Sequence, residues 1–184
     1  PHVTTTAAAA LAWVLLLDPR HGPLAVVYSA TGVDGPYWLR SGGLALIALM
    51  MVGIWKEIGF STVFFLAGLQ DIPVECIESA RLDGASRLAV LRYVTLPLLS
   101  PVAFLLSVSG FIVSIKAFDV VAVMTEGGPV YPDTATFVYH LYRLAFRDYE
   151  AGYASAFAVL FFVAVLVMTA AQFRMARRWV HYGD

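Results

Sequence analysis

Two lysines, Lys56 and Lys116, are the chain's full complement, and each lies in a long apolar run near an acid: Glu57 beside the first, Asp119 one helical turn after the second. A charged side chain at mid-bilayer costs about 2.5–3.5 kcal/mol on insertion scales, so such groups should face protein or water. Two readings stand. In one they line a solute path, with Glu57 or Asp119 able to relay a proton. In the other they are structural: Lys116 pairs with Asp119 on one helix face, and Lys56 snorkels or pairs with a neighbouring helix. Ser107, Ser109 and Ser114 offer hydroxyls to a ligand or to their own backbone. Trp55, Phe60 and Phe64 offer faces to a ligand or to packing. Other chemistry finds little support. Neither lysine follows a glycine-rich phosphate loop. His2, His21, His140 and His181 lack metal-ligand spacing, and no nucleophile–base pair stands out. Cys76 is the single cysteine, so there is no internal disulfide.

The elements that must position these groups are apolar. Of 184 residues 60% are hydrophobic and 14% charged, where a soluble domain carries about a quarter charged. Mean hydropathy is +0.76, and the bilayer is the natural solvent. A net charge of −1 argues against a nucleic-acid partner. Four segments approach the ~20 residues that cross the hydrocarbon, at about 3–17, 42–69, 98–124 and 152–173. They are expected to be helices, since lipid offers no partner for open backbone groups and four segments cannot close a barrel. The fold class is therefore all-α, a polytopic membrane helix bundle. The chain opens on Pro1 without a signal-peptide pattern, and is expected to begin partway through a longer protein. Residues 18–41 read as an interfacial loop, and 125–151 as a Gly-Gly-Pro turn followed by an aromatic, partly amphipathic stretch. The connector at 70–97 and the tail hold Arg81, Arg87, Arg92, Arg174, Arg177 and Arg178, against Arg20, Arg40, Arg143 and Arg147 on the other side. That bias makes the first side cytoplasmic. Gly42, Gly43, Gly53, Gly59, Gly68 and Gly110 read first as close-packing positions and second as hinges.

One charged insert interrupts the greasy pattern: "IPVECIESARLDGASRLAVLRYVTLPLLSP", residues 72–101. Asp71 and Pro73 suit a helix start. Val74, Ile77, Ala80 and Leu82 are expected toward one side. Asp83-Gly84 ends or bends the helix, and Ser86 caps a second one with Leu88, Leu91 and Tyr93 as apolar positions. Pro97 and Pro101 mark entry to the next span. A connector resting on headgroups would explain the amphipathicity. Small residues about the turn (Ser79, Ala80, Ala85), with Glu78, Arg81 and Asp83 available for charge pairs, fit seating in a partner's groove.

The stretch "ESARLDGASRLAVLRYVTLPLLSP" resembles the EAA loop of ABC importer permeases, E-A-A-x-x-D-G-A followed by L-P-x-x-x-P. Glu78, Ala80, Asp83, Gly84, Ala85, Leu96, Pro97 and Pro101 match. Ser79 replaces the usual second alanine, and Leu91 stands where phenylalanine is common. "WKEIGFSTVFFLAGLQDIP", "FDVVAVMTEGGP" and "GYASAFAVL" are similar to segments of the sugar and glycerol-3-phosphate subfamily, so the likeness runs along nearly the whole chain. It implies a partial type I importer transmembrane domain over 1–184, the last four of about six spans, with 71–97 as its cytoplasmic coupling loop. Glu78, Ser79, Ala80, Arg81, Asp83, Gly84, Ala85, Leu96 and Pro97 would then meet a cytoplasmic ATPase dimer, which holds the ATP and Mg; this chain needs no cofactor. A second permease, forming a heterodimer, and an extracytoplasmic solute-binding protein complete the set, in the cytoplasmic membrane of a bacterium or archaeon, with EAA loop and C-terminus inside. Glu57, Phe60, Ser114, Lys116 and Asp119 are path candidates. Gly127, Gly128 and Pro129 are candidates for touching the binding protein. The alternative is a self-sufficient secondary carrier that uses the intramembrane charges.

Overall fold

A computed structural model describes residues 1–128 and 131–179. Its regular elements are helical: α1 Thr6–Leu17, α2 Pro23–Thr31, α3 Gly42–Gln70, α4 Val74–Leu82, α5 Arg87–Val90, a π-helical turn Leu91–Thr95, α6 Leu96–Leu98, α7 Ser100–Ile115, α8 Asp119–Met124, α9 Phe137–Tyr142, a second π-helical turn Arg143–Arg147, and α10 Ala151–Trp179. Among the described residues α3 and α10 are long and apolar enough to cross a membrane, and the bent pair Arg87–Leu98 with Ser100–Ile115 makes a third span if taken as one. The fourth expected span differs. α1 has 12 residues, about 18 Å at 1.5 Å per residue, well short of a ~30 Å core. The 18–41 connector also departs from a plain loop, because Pro23 starts α2 and Gly32, at φ 68°, closes it.

Two compact units make up the chain, residues 1–58 with 113–161 and residues 59–112 with 162–184. In the first, Ala10 and Leu17 of α1, Ala48 and Val52 of α3, and Val120 and Met124 of α8 form the core. The α3 contribution, Ala45, Ala48 and Val52, follows an i, i+3, i+7 stripe of small, fully buried residues. Lipid tails are as apolar as leucine, so helices associate here by close van der Waals fit, and small side chains permit it. Trp13 meets Trp55 edge to face at 6.0 Å. On the far side of the unit Phe137 stacks on Phe157 and Phe161, tying α9 to α10.

In the second unit Gly68 is buried, and a Cβ there would stand 2.7 Å from Val102 Cγ2, so α3 and α7 touch through a glycine. Phe104 packs edge to face on Phe173 at 5.2 Å, joining α7 to α10. The 59° bend between α6 and α7 has a local cause. Pro101 lacks the N–H that would bond the Pro97 carbonyl, and the Ser100 hydroxyl donates to that carbonyl instead, at 2.6 Å. The packing reading of the glycines holds for Gly68 and for Gly42, which abuts Asp133; around Gly43, Gly53 and Gly110 there is open space.

Candidate functional site

The insert folds as two short helices about a tight turn. α4 starts one residue later than its sequence suggests. Pro73 itself occupies the cap position, without a side-chain cap bond, and Asp71 lies two residues upstream, out of register for the first-turn amides. Gly84, at φ +83°, ends α4. The Ala85 amide donates to the Ala80 carbonyl at 3.0 Å and the Gly84 amide to the Arg81 carbonyl at 3.0 Å, the paired bonds of a Schellman termination. Ser86 then caps α5 by accepting from the Ala89 amide at 3.3 Å. Ile77 and Ala80 form the half-buried face of α4. Leu82 does not join it: five residues beyond Ile77 it points about 140° away, and it is 89% exposed. Leu88 and Tyr93 are each 73% exposed. Glu78, Arg81 and Asp83 are exposed and form no ion pair with one another among the described residues, which leaves them open to a partner. The Ser79 hydroxyl donates to the Cys76 carbonyl at 3.2 Å and so folds onto its own helix. Leu96 is exposed and Pro97 half-buried at the mouth of the bend.

The second cluster is the turn after α8. Gly127 and Gly128 have φ +91° and +126°; Pro129, named with them, lies outside the described residues. Side chains that sequence reading passed over hold this turn. The Tyr139 hydroxyl donates to the Glu126 carbonyl at 2.6 Å, the Thr134 amide to the Gly127 carbonyl at 3.2 Å, and the Thr134 hydroxyl to Thr125 Oγ1 at 3.0 Å. Thr125 in turn donates to the Val121 carbonyl at 3.2 Å. Arg143 lies over the Tyr131 ring, Cζ 3.8 Å from its centroid, and pairs with Asp148 at 3.6 Å. Tyr131 and His140 share a hydrogen bond. The threonine relay makes an asymmetric prediction. Thr125→Val strands the Thr134 hydroxyl, whose residue is 4% exposed, and is expected to cost about 1–3 kcal/mol; Thr134→Val leaves Thr125 its carbonyl and costs about 1 kcal/mol. Thermal melts of the two variants check the order.

No ion pair joins the intramembrane charges among the described residues. The span read as 98–124 breaks at Lys116–Phe118, between α7 and α8, and there the Ala117 carbonyl accepts from Thr136 Oγ1 at 2.6 Å. Lys116 and Asp119 therefore lie on either side of a break, not on one helix face, and no ion pair joins them among the described residues. Both are exposed, as is Ser114. Glu57 is half-buried on α3. Phe60 packs on Phe64 at 4.5 Å. Ser107 donates to its own helix at Phe104 O, 2.8 Å. Lys56 Nζ donates to the Thr4 carbonyl at 2.7 Å, an anchor within the first unit. Lys56→Met is therefore expected to lower the melting temperature by a few degrees, as a thermal melt of the purified protein would show.

Comparison with known proteins follows this geometry closely. Residues 4–181 match the family model "Binding-protein-dependent transport system inner membrane component". The sn-glycerol-3-phosphate transport system permease protein UgpA of Yersinia pseudotuberculosis serotype I is 33% identical over 99% of this chain and 62% of its own length. That of Agrobacterium fabrum is 32% identical over 100% and 62%. A solved bacterial alginate ABC transporter, in complex with an alginate pentasaccharide-bound periplasmic protein, superposes with a TM-score of 0.88 at 26% identity, covering 100% of this chain and 64% of that one. A second structure of a bacterial ABC transporter, involved in the import of alginate, gives 0.86 at 27%, covering 97% and 62%. The chain thus spans a little over three fifths of the length of these relatives. It is an all-helical membrane protein that belongs to the inner-membrane-component family of binding-protein-dependent transport systems.

Proposed function

We propose that the whole protein is the permease subunit of an ATP-driven importer. With a second permease it forms the path for a sugar or a glycerol-3-phosphate-like solute, and the 71–97 loop couples that path to a cytoplasmic ATPase dimer, which holds ATP and Mg. One observation carries the reading: a Schellman-terminated helix, α4, is joined to a capped α5, and the loop leaves Leu82, Leu88 and Tyr93 exposed together with Glu78, Arg81 and Asp83, which have no ion-pair partner among the described residues. Such a surface is shaped to enter a groove, with apolar anchors and a charged rim. The relatives support the solute class, glycerol-3-phosphate for the permeases and alginate for the solved transporters. The arginine bias supports a cytoplasmic loop and C-terminus. The turn at Gly127 and Gly128 then lies on the outer face, where a solute-binding protein docks.

Coupling works through a two-state element. ATP-driven closure of the ATPase dimer moves the two coupling helices, and the spans respond by exchanging inward-open for outward-open packing. The test uses the full-length chain as bait in membranes. The expected result is a co-purifying ATPase whose turnover rises with one loaded binding protein, which also identifies the solute class. A clean preparation without ATPase that moves solute under a proton gradient would instead establish the secondary carrier.

A further inference from the structure

Away from the coupling loop, the 18–41 connector folds into a cationic pocket of about 260 Å³ that includes Asp18, Arg20, His21, Tyr37, Trp38 and Arg40. Arg20 and Arg40 both line it and both lie over the Tyr37 ring, their Cζ atoms 5.4 and 5.3 Å from its centroid. Asp18 does not neutralise them. Its carboxylate accepts from the Arg20 amide at 2.8 Å and the His21 amide at 3.3 Å, with His21 Nδ1 at 3.4 Å. Neither guanidinium has an ion-pair partner among the described residues. The Asp18 group is held ionised, chiefly by the Arg20 amide bond, which keeps it below the usual carboxylate range. Two guanidinium groups and one carboxylate leave the pocket net cationic.

The floor is rigid. Trp38 Nε1 donates to the Tyr28 hydroxyl at 3.2 Å, and Trp38 and Leu39 pack on the buried core of the first unit. The pocket lies where α1 ends and before α3 begins. Tyr and Trp beside arginine mark the headgroup level of a bilayer. A guanidinium fork matches the oxygens of a phosphate and binds it in two parallel bonds. We infer that this pocket is a binding site for a phosphate-bearing anion, held by Arg20 and Arg40, with the diester headgroup of an anionic phospholipid or free phosphate as its source. The site is separate from the residues assigned above to coupling or the path.

The test uses full-length protein in two arms. Native mass spectrometry from nanodiscs counts retained phosphatidylglycerol against phosphatidylcholine. In zwitterionic detergent, inorganic phosphate is titrated while tryptophan fluorescence is read. The variants are Arg20→Gln with Arg40→Gln, the exposed Arg20→Gln alone in case the pair fails to insert, and Arg174→Gln with Arg177→Gln as a cationic control. Juxtamembrane arginines each change anionic-lipid affinity about fivefold, so the pocket pair should lower it roughly twentyfold. One phosphatidylglycerol lost from the pocket variants and kept by the control establishes the lipid source. A phosphate-dependent fluorescence change in wild type alone establishes the free anion. Equal lipid retention and equal phosphate response in wild type and pocket variants, or an equal loss in the control, overturns the site.

Discussion

Gly84→Val leaves the full-length permease in the membrane and reduces ATPase recovery in a pull-down by more than tenfold. Gly84 sits at φ +83° with open space where a Cβ would lie. The cost is thus conformational, not steric: an L-residue in the left-handed region loses roughly 1–2 kcal/mol, and a β-branched one is a genuine outlier there. α4 would then lose the bonds from Ala85 to Ala80 and from Gly84 to Arg81 that set the angle to α5. Gly84→Asp tolerates the conformation better, because aspartate visits that region more readily, but places a carboxylate where the partner groove must close. Glu78→Lys isolates the charge contribution. Glu78 is exposed and has no ion-pair partner among the described residues, so its reversal should leave folding intact and lower ATPase recovery, with a stronger effect at low salt. Normal recovery and transport in Gly84→Val and Glu78→Lys alike would refute the docking assignment.

Gly127→Val should separate the two faces of the transporter. A Cβ at Gly127 would stand 2.5 Å from Tyr139 Cε1 and 3.0 Å from Tyr131 Cδ2, on a backbone with φ +91°. Overpacking of this kind costs about 1–3 kcal/mol, and the left-handed conformation a further 1–2 kcal/mol or so. The Tyr139 bond to the Glu126 carbonyl would open, since the ring must move. The expected outcome is a lower melting temperature by several degrees and loss of binding-protein stimulation by at least tenfold, with basal ATPase turnover retained. Titration of ATPase rate against loaded binding protein reads both quantities.

The insert was legible in the sequence because its determinants are local. A left-handed glycine, a serine cap and two prolines each act within four residues of their own position. The order Glu78–Gly84–Pro97 carries the turn, the second helix and the approach to the bend. The break at Lys116 was not legible, and the bond found there is tertiary, a hydroxyl 19 residues away, Thr136 on the Ala117 carbonyl. The Lys116–Asp119 pair failed with it. The same holds for the outer turn: Gly127 and Gly128 were visible as turn residues, but the Thr125–Thr134 relay and the Tyr139 brace depend on tertiary contact. α1 was read as the shortest of the spans and proves shorter still, since Thr5 is the cap and helix begins only at Thr6. Charges inside apolar runs pointed to a path or a structural contact, and Lys56 binds the Thr4 carbonyl just ahead of α1, a partner that composition cannot reveal.

The central claim is that α4 is a cytoplasmic helix covered by an ATPase. Cys76, exposed on α4, is a native probe of it. Sealed inside-out and right-side-out vesicles carrying the full-length permease would be treated with a membrane-impermeant maleimide, with and without the ATPase, and the Cys76 peptide quantified. The account predicts labelling in inside-out vesicles alone, reduced at least fivefold when the ATPase is bound. Labelling from the outer face, or equal labelling with and without the ATPase, would contradict it.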